Sequence, residues 1–247
     1  FGYVGEWRIL SPRKFGLPQS RDRAYALNLL RSDFTEESAE KRRQDLGKAF
    51  QMLERMQLSK VEPLARVLQR LPSTIAPCRK IRGQSLKDAV ASGRQWPRDH
   101  EAWAETWEVT TDARTSPADF VKEVSSLIPP RGMHAMWIKL ARLQMKSGKD
   151  WKQPLVIVPT GLSVGNCRAR RHIFPCITPS QIYVILESGK ARVAFGLTAM
   201  ALQGIQKKEV EIYKLAKEKD KLLRDLAGNA FTANILAAFL MAAASVM

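Results

Sequence analysis

Three cysteines in 247 residues, Cys78, Cys167 and Cys176, are too few and too scattered for a disulfide framework or a zinc site. That suits a reducing compartment. Acidic residues are also short: 24 Asp and Glu stand against 40 Lys and Arg, a formal charge of +16. A surplus this size excludes an acid-rich binding module and points to a polyanion such as nucleic acid, ahead of an anionic membrane surface. No signal-peptide pattern, internal repeat, low-complexity tract or RNA-recognition signature is present. One long apolar run occurs, 231–247, but it is short for a membrane span and carries Thr232 and Asn234. It reads as a buried helix packed on a sheet.

The basic residues cluster at 41–43, 79–82 and 168–171. Residues 3–10 and 23–30 read as strands joined by a loop that Gly16 and Pro18 mark. Leu46, Phe50, Leu53 and Met56 fall at helical spacing after a start at Thr35. A second helix opens at Pro63 and runs to Leu71. The stretch 73–115 shows little periodicity. Its Trp96, Trp103 and Trp107 lie among Arg94, Arg98 and Arg114, a pattern that suits stacking on exposed bases or half-buried packing. Further helices are expected over 116–128, stopped by Pro129 and Pro130, and over 133–147, closed by Gly148. Strands are expected at 155–158 and 182–186, with turns at 159–161 and 187–189 and a basic loop at 166–174. A charged helix at 210–226 is interrupted by Gly228 and Asn229 before the last apolar helix.

The most informative stretch is Phe15-Gly16-Leu17-Pro18-Gln19-Ser20-Arg21-Asp22-Arg23. In an extended segment Gln19, Arg21 and Arg23 share one face. Two guanidiniums and an amide there form donors suited to an anion or a base edge; the plain alternative is a solvated basic strand entry. This stretch resembles the Gln-x-Arg-x-Arg motif of the DNA (cytosine-5) methyltransferases. The lead-in Gly2-Tyr3 through Trp7-Arg8-Ile9-Leu10 is similar to a strand of that family. Arg192, twelve residues before Gly204, with Leu202-Gln203-Gly204, is similar to its Leu-Gln-Gly segment. Leu226-Ala227-Gly228-Asn229-Ala230-Phe231 is similar to its Gly-Asn-Ala helix. The three come in the family's order, with a long insert where the family keeps its target-recognition region.

The resemblance implies an α/β fold: the C-terminal part of a Rossmann-like, S-adenosylmethionine-dependent methyltransferase domain with a largely helical insert. Residues 1–30 and 187–247 are expected in the core and 31–186 in the insert. It implies that Arg23 contacts a cytosine flipped out of double-stranded DNA, that Arg21 supports the nucleophile loop, and that Gln19 braces it. Gly228, Asn229 and Ala230 are implied to close the S-adenosylmethionine pocket. No metal and no membrane are implied, and the setting is intracellular, nuclear in a eukaryote.

Methylating carbon 5 of cytosine requires a thiolate at carbon 6, an acid near nitrogen 3 and a sulfonium donor. The family's Pro-Cys and Glu-Asn-Val loops do not occur before Gln19. The chain opens on Phe1, inside a motif, and is expected to be a fragment that transfers no methyl group alone. Pro77-Cys78 and Pro175-Cys176 supply the dipeptide out of place, and a buried cysteine is the default for each. The family's Arg-Glu pair falls on Leu197 and Thr198. A rival reading is therefore a non-catalytic nucleic-acid-binding relic of the fold; a basic RNA-binding protein with chance motifs is a third.

Overall fold

The computed structural model describes residues 2–33, 35–69, 86–109, 127–147, 155–161, 164–165, 169–179, 181–188, 190–205 and 220–246. The expected helix at 116–128 up to residue 126, the cluster at 79–82, Cys78, Cys167, and 210–219 lie outside them.

The architecture mixes helices with two small sheets. The first sheet is an antiparallel hairpin of β1 (Tyr3–Leu10) and β2 (Arg23–Leu30), paired along its length from Tyr3↔Leu30 to Leu10↔Arg23. Its inner face carries Leu10, Tyr25 and Leu29. Its other face leaves Tyr3, Trp7, Ile9 and Leu30 largely in solvent. Between the strands, a single 3-10 turn ends at Gly16, whose φ of 84° is the left-handed conformation that glycine adopts without a Cβ clash.

Helix α1 (Glu36–Arg55) begins where Thr35 accepts a hydrogen bond from the Ser38 amide at 3.2 Å, a side-chain cap followed by two glutamates at the positive helix end. Its Ala49, Phe50 and Leu53 close over the hairpin's inner face. Ile235, Ala238 and Ala242 of α8 (Ala233–Ala244) complete that cluster, so the chain's two ends share one core. The last helix thus packs on a helix as well as on a sheet, and Leu240 and Met241 stay exposed. Among the described residues no single helix is long and apolar enough to cross a membrane.

The second sheet is antiparallel, in the order β4-β3-β5-β6: β3 (Val156–Pro159), β4 (Arg170–Arg171), β5 (Tyr183–Glu187) and β6 (Lys190–Ala194). Ile157 faces Ile185 and Val158 faces Val184 across β3 and β5. Both faces are covered, which is why both central strands are continuously apolar. Ile157, Tyr183 and Ile185 pack on α2 (Leu64–Gln69), α6 (Gly196–Leu202) and α7 (Asp220–Asn229). Val156, Val158, Val184 and Leu186 pack on α5 (Pro130–Ser147).

Several expectations need correction. The 73–115 stretch contains α3 (Leu86–Ala91) and α4 (Gln95–Thr106). Helix α4 buries Pro97, His100 and Ala104, a face with no large aliphatic residue, so periodicity alone could not show it. Helix α5 starts at Pro130 rather than at Met133, since the first helical position needs no N–H. Gly228 and Asn229 do not interrupt α7 but form its last turn; the break falls at 230–232. Strand β6 follows β5 through a turn at Ser188.

Candidate functional site

The loop ahead of β2 is fixed before any side chain acts. Phe174 donates its amide to Pro18 O at 2.8 Å and accepts from the Ser20 amide at 2.9 Å, a bridge that docks residues 18–20 on the second sheet's neighbourhood. Gln19 and Arg21 then reach inward. Gln19 is 0 % exposed and Arg21 4 %, whereas Arg23 is exposed. The expected single face of three available donors is therefore corrected: helix-end and loop carbonyls converge on this loop and take up the first two.

Gln19 Nε2 donates to Leu202 O at 2.7 Å, where α6 ends, and to Gln203 Oε1 at 3.1 Å. Gln203, also fully buried, passes the connection on: its Nε2 donates to Ala227 O of α7 at 2.7 Å. Its Oε1 accepts from Thr232 Oγ1 at 3.1 Å, and its backbone oxygen accepts the Ala233 amide at 2.7 Å. Arg21 Nη2 donates to Gly228 O at 2.7 Å, and Nη1 donates to Ile177 O. Burial first, and then the like charge of Arg23, lower the Arg21 guanidinium's pKa from its ordinary value. A guanidinium's fixed fork suits two divergent carbonyls as no lysine can.

Two glycines make this closeness possible. Gly204 sits at φ 83°, closing α6 in the left-handed conformation, and a Cβ there would overlap Asn234 Oδ1. Asn234 in turn donates to Phe15 O at 3.2 Å. A Cβ on Gly228 would overlap the Thr178–Pro179 backbone. Gly228→Ala is ordinarily worth up to about 1 kcal/mol of added helix stability. Here the expected sign is opposite, a loss of about 1–3 kcal/mol from the forced backbone shift, read as a lower denaturation midpoint.

The three motif segments, 15–23, 202–204 and 226–230, thus form one clasp. Arg23 stands two residues beyond Arg21 and Asn229 one beyond Gly228, and Tyr25 and Phe231 hold the same strand and helix end ring to ring at 5.5 Å. No protein-family model and no curated protein matches this chain. The functional reading therefore stands on the motif residues and this geometry.

Of the implied cofactor residues, Asn229 is exposed and Ala230 half-buried, positions open to a ligand. Gly228 is not: its Cα faces Pro179 and its carbonyl holds Arg21. Cys176 lies beside the clasp, a free thiol 3.9 Å from Arg21 Nη1 and half-buried. Among the described residues no group of three or more His, Cys, Asp or Glu is placed to hold a metal.

The sequence reading passed over Thr232 and Asn234, noted only as polar breaks in an apolar run; their signal was position, directly after the Gly-Asn-Ala segment. Asp220 was also missed. Its buried carboxylate accepts the Gly196 amide at 2.5 Å and pairs with Arg224 at 2.8 Å, capping α6 from α7.

The basic cluster at 41–43 is on the surface of α1. There Arg43 meets Glu36 at 2.6 Å and Glu40 at 3.0 Å, and Arg42 meets Asp45 at 3.4 Å, so part of its charge is locally offset.

Proposed function

We propose that this chain is the DNA-binding and target-positioning half of a DNA cytosine-5 methyltransferase, with a Rossmann-like relationship to the family's core. The observation that carries this reading is the clasp. Three segments that resemble successive motifs of one family, up to 207 residues apart, meet through Gln19, Arg21, Gln203 and Gly228. Chance likenesses have no reason to share a hydrogen-bond network. On this reading Arg23, exposed at the start of β2, donates to the flipped cytosine, while Arg21 and Gln19 are positioning residues that hold its strand. Asn229 and Ala230 hold S-adenosylmethionine, which supplies the methyl group as a sulfonium; Gly228 serves by letting α7 approach.

The relic reading has its own support. Leu197 and Thr198, which stand in place of an Arg-Glu pair, are both buried in α6 and unable to brace a recognition region by charge.

Binding to duplex DNA separates these. Affinity is expected to fall steeply with salt, each phosphate contact adding about −0.9 to the slope of log K on log salt. A slope near zero rejects DNA as the partner. A protein that positions a flipped base prefers a duplex whose target pair is already weakened, because extrusion then costs less. The chain is expected to bind a mismatched target cytosine several-fold more tightly than a matched one, and Arg23→Ala to remove that preference with the salt slope unchanged. A relic shows no preference to remove.

A further inference from the structure

Strand β1 has one paired edge and one open edge. The register from Tyr3↔Leu30 to Leu10↔Arg23, with Arg31 N donating to Gly2 O at 2.8 Å, puts the bonds to β2 on the even-numbered residues. The backbone groups of Tyr3, Gly5, Trp7 and Ile9 therefore point away from β2, and among the described residues β2 is the strand's sole partner. The bond on that edge is an exposed one, from Arg8 Nη1 to Trp7 O at 3.0 Å. An open hollow of about 600 Å³ follows the edge from Gly5 to Ile9. The outer edge of β2 is different, for Leu30 O there accepts from Arg42 Nε at 2.9 Å.

An open edge is a template for a further strand, and charge decides which strand fits. Glu6 and Arg8 flank Trp7 and pair with each other, their side chains 35 % and 45 % exposed. Let β1 of a second copy run antiparallel along this edge, with the two-fold axis at Trp7. Glu6 of each copy then stands opposite Arg8 of the other. Both are pairs without ladder bonds, where side chains come closest. The second copy's carboxylate draws the Arg8 guanidinium, and Trp7 O is released to the new ladder. Ile9 stands opposite Gly5, which has no side chain to meet it. Moving the axis by one residue sets Glu6 against Glu6, or Arg8 against Arg8. The order Glu-Trp-Arg thus selects one register. Tyr3, Trp7, Ile9 and Leu30 of both copies then form one uncharged patch, in a chain of +16.

We propose that a second copy of this chain pairs along β1, giving a symmetric four-stranded sheet of order β2-β1-β1-β2. This dimer does not depend on the methyltransferase reading.

Sedimentation equilibrium of the whole chain tests it. The chain is expected to dimerise below about 100 μM. Symmetry doubles every contact, so Glu6→Arg and Arg8→Glu each set two like-charge pairs across the seam. Each is expected to weaken the dimer about tenfold. Mixed in equal amounts, the two variants make every facing pair opposite in charge, and the mixture is expected to recover the wild-type affinity. Trp7→Lys brings two cations together on the axis. Its side chain is 60 % exposed, so the core is untouched, and this variant decides the matter if circular dichroism shows a charge variant unfolded. A chain that stays monomeric overturns the proposal and leaves the edge to a different partner. So does a dimer that these variants do not weaken, or a mixture that does not recover.

Discussion

Arg21→Ala is expected to lower the stability of the folded chain by about 2–4 kcal/mol, because two buried carbonyls lose their donors. Those carbonyls, Ile177 O and Gly228 O, belong to a loop of the second sheet and to the end of α7. Arg21 is 4 % exposed, so cutting it back leaves both carbonyls in an enclosed polar cavity rather than in bulk solvent. The variant recovers the cost of burying a charge, which keeps the loss below the sum of two broken charge-assisted bonds. Arg21→Lys is expected to restore little, for one ammonium on a flexible stem cannot hold two divergent acceptors at once. Arg23→Ala, two residues on and exposed, is expected to change stability by less than about 0.5 kcal/mol. Urea denaturation of the three variants checks this. An Arg21→Ala midpoint equal to that of Arg23→Ala would show that the clasp does not hold the fold.

The second large effect is one of pH. His100 is 1 % exposed on α4, its Nδ1 3.0 Å from Nδ1 of His134 on α5, with Trp96 packed against both rings. Burial first, then the charges of His134, Arg131 and Lys139, lower its pKa from 6.5 to about 3; Asp99 opposes them weakly. Above pH 6.5 the imidazole is neutral folded and unfolded, and the stability is fully present. As pH falls below 6.5 the unfolded chain takes up a proton that the folded chain refuses. Stability is then lost at about 1.4 kcal/mol per pH unit until the folded pKa is reached, nearly 5 kcal/mol in all. Between pH 6.5 and 5 most carboxylates keep their charge, and a loss of about 2 kcal/mol is expected there. His100→Phe keeps an aromatic ring without the titration, and is expected to flatten the profile over that window. An equally steep profile in the variant would assign the loss to another group.

What the sequence disclosed depended on how the signal was carried. Helix α1 was legible because local rules suffice for it, a threonine cap ahead of an apolar stripe; strands β1 and β2, modest in β-branched residues, were legible from the Gly-Pro loop between them together with the family resemblance. Helix α4 was not, because its buried face is made of Pro97, His100 and Ala104, and only the partner helix α5 makes those residues a core. The motif stretch was legible as a set of donors, but not as to where they point. Alternation tells which residues share a face; it does not tell which face is buried. Three acceptors decide that, Leu202 O, Ile177 O and Gly228 O, and each is supplied by chain 156 residues or more away. The tryptophans at 96, 103 and 107 are all in ring or cation contacts within the protein, and Trp103 keeps its outer edge in water.

The hairpin's dependence on the chain's last segment has a consequence for synthesis. Gln19 meets Leu202 across 183 residues, and Phe15 meets Asn234 across 219. A ribosome adding about 5–20 residues per second takes roughly 10–40 s to make the intervening chain. Over that time β1 and β2 have emerged with α1 but without α8, and a two-stranded ribbon is barely stable by itself. Its Tyr3, Trp7, Ile9 and Leu30 side is bare throughout. The nascent hairpin is thus committed to a long vectorial wait before α8 secures it, and chaperones that cover apolar strands have their opening there.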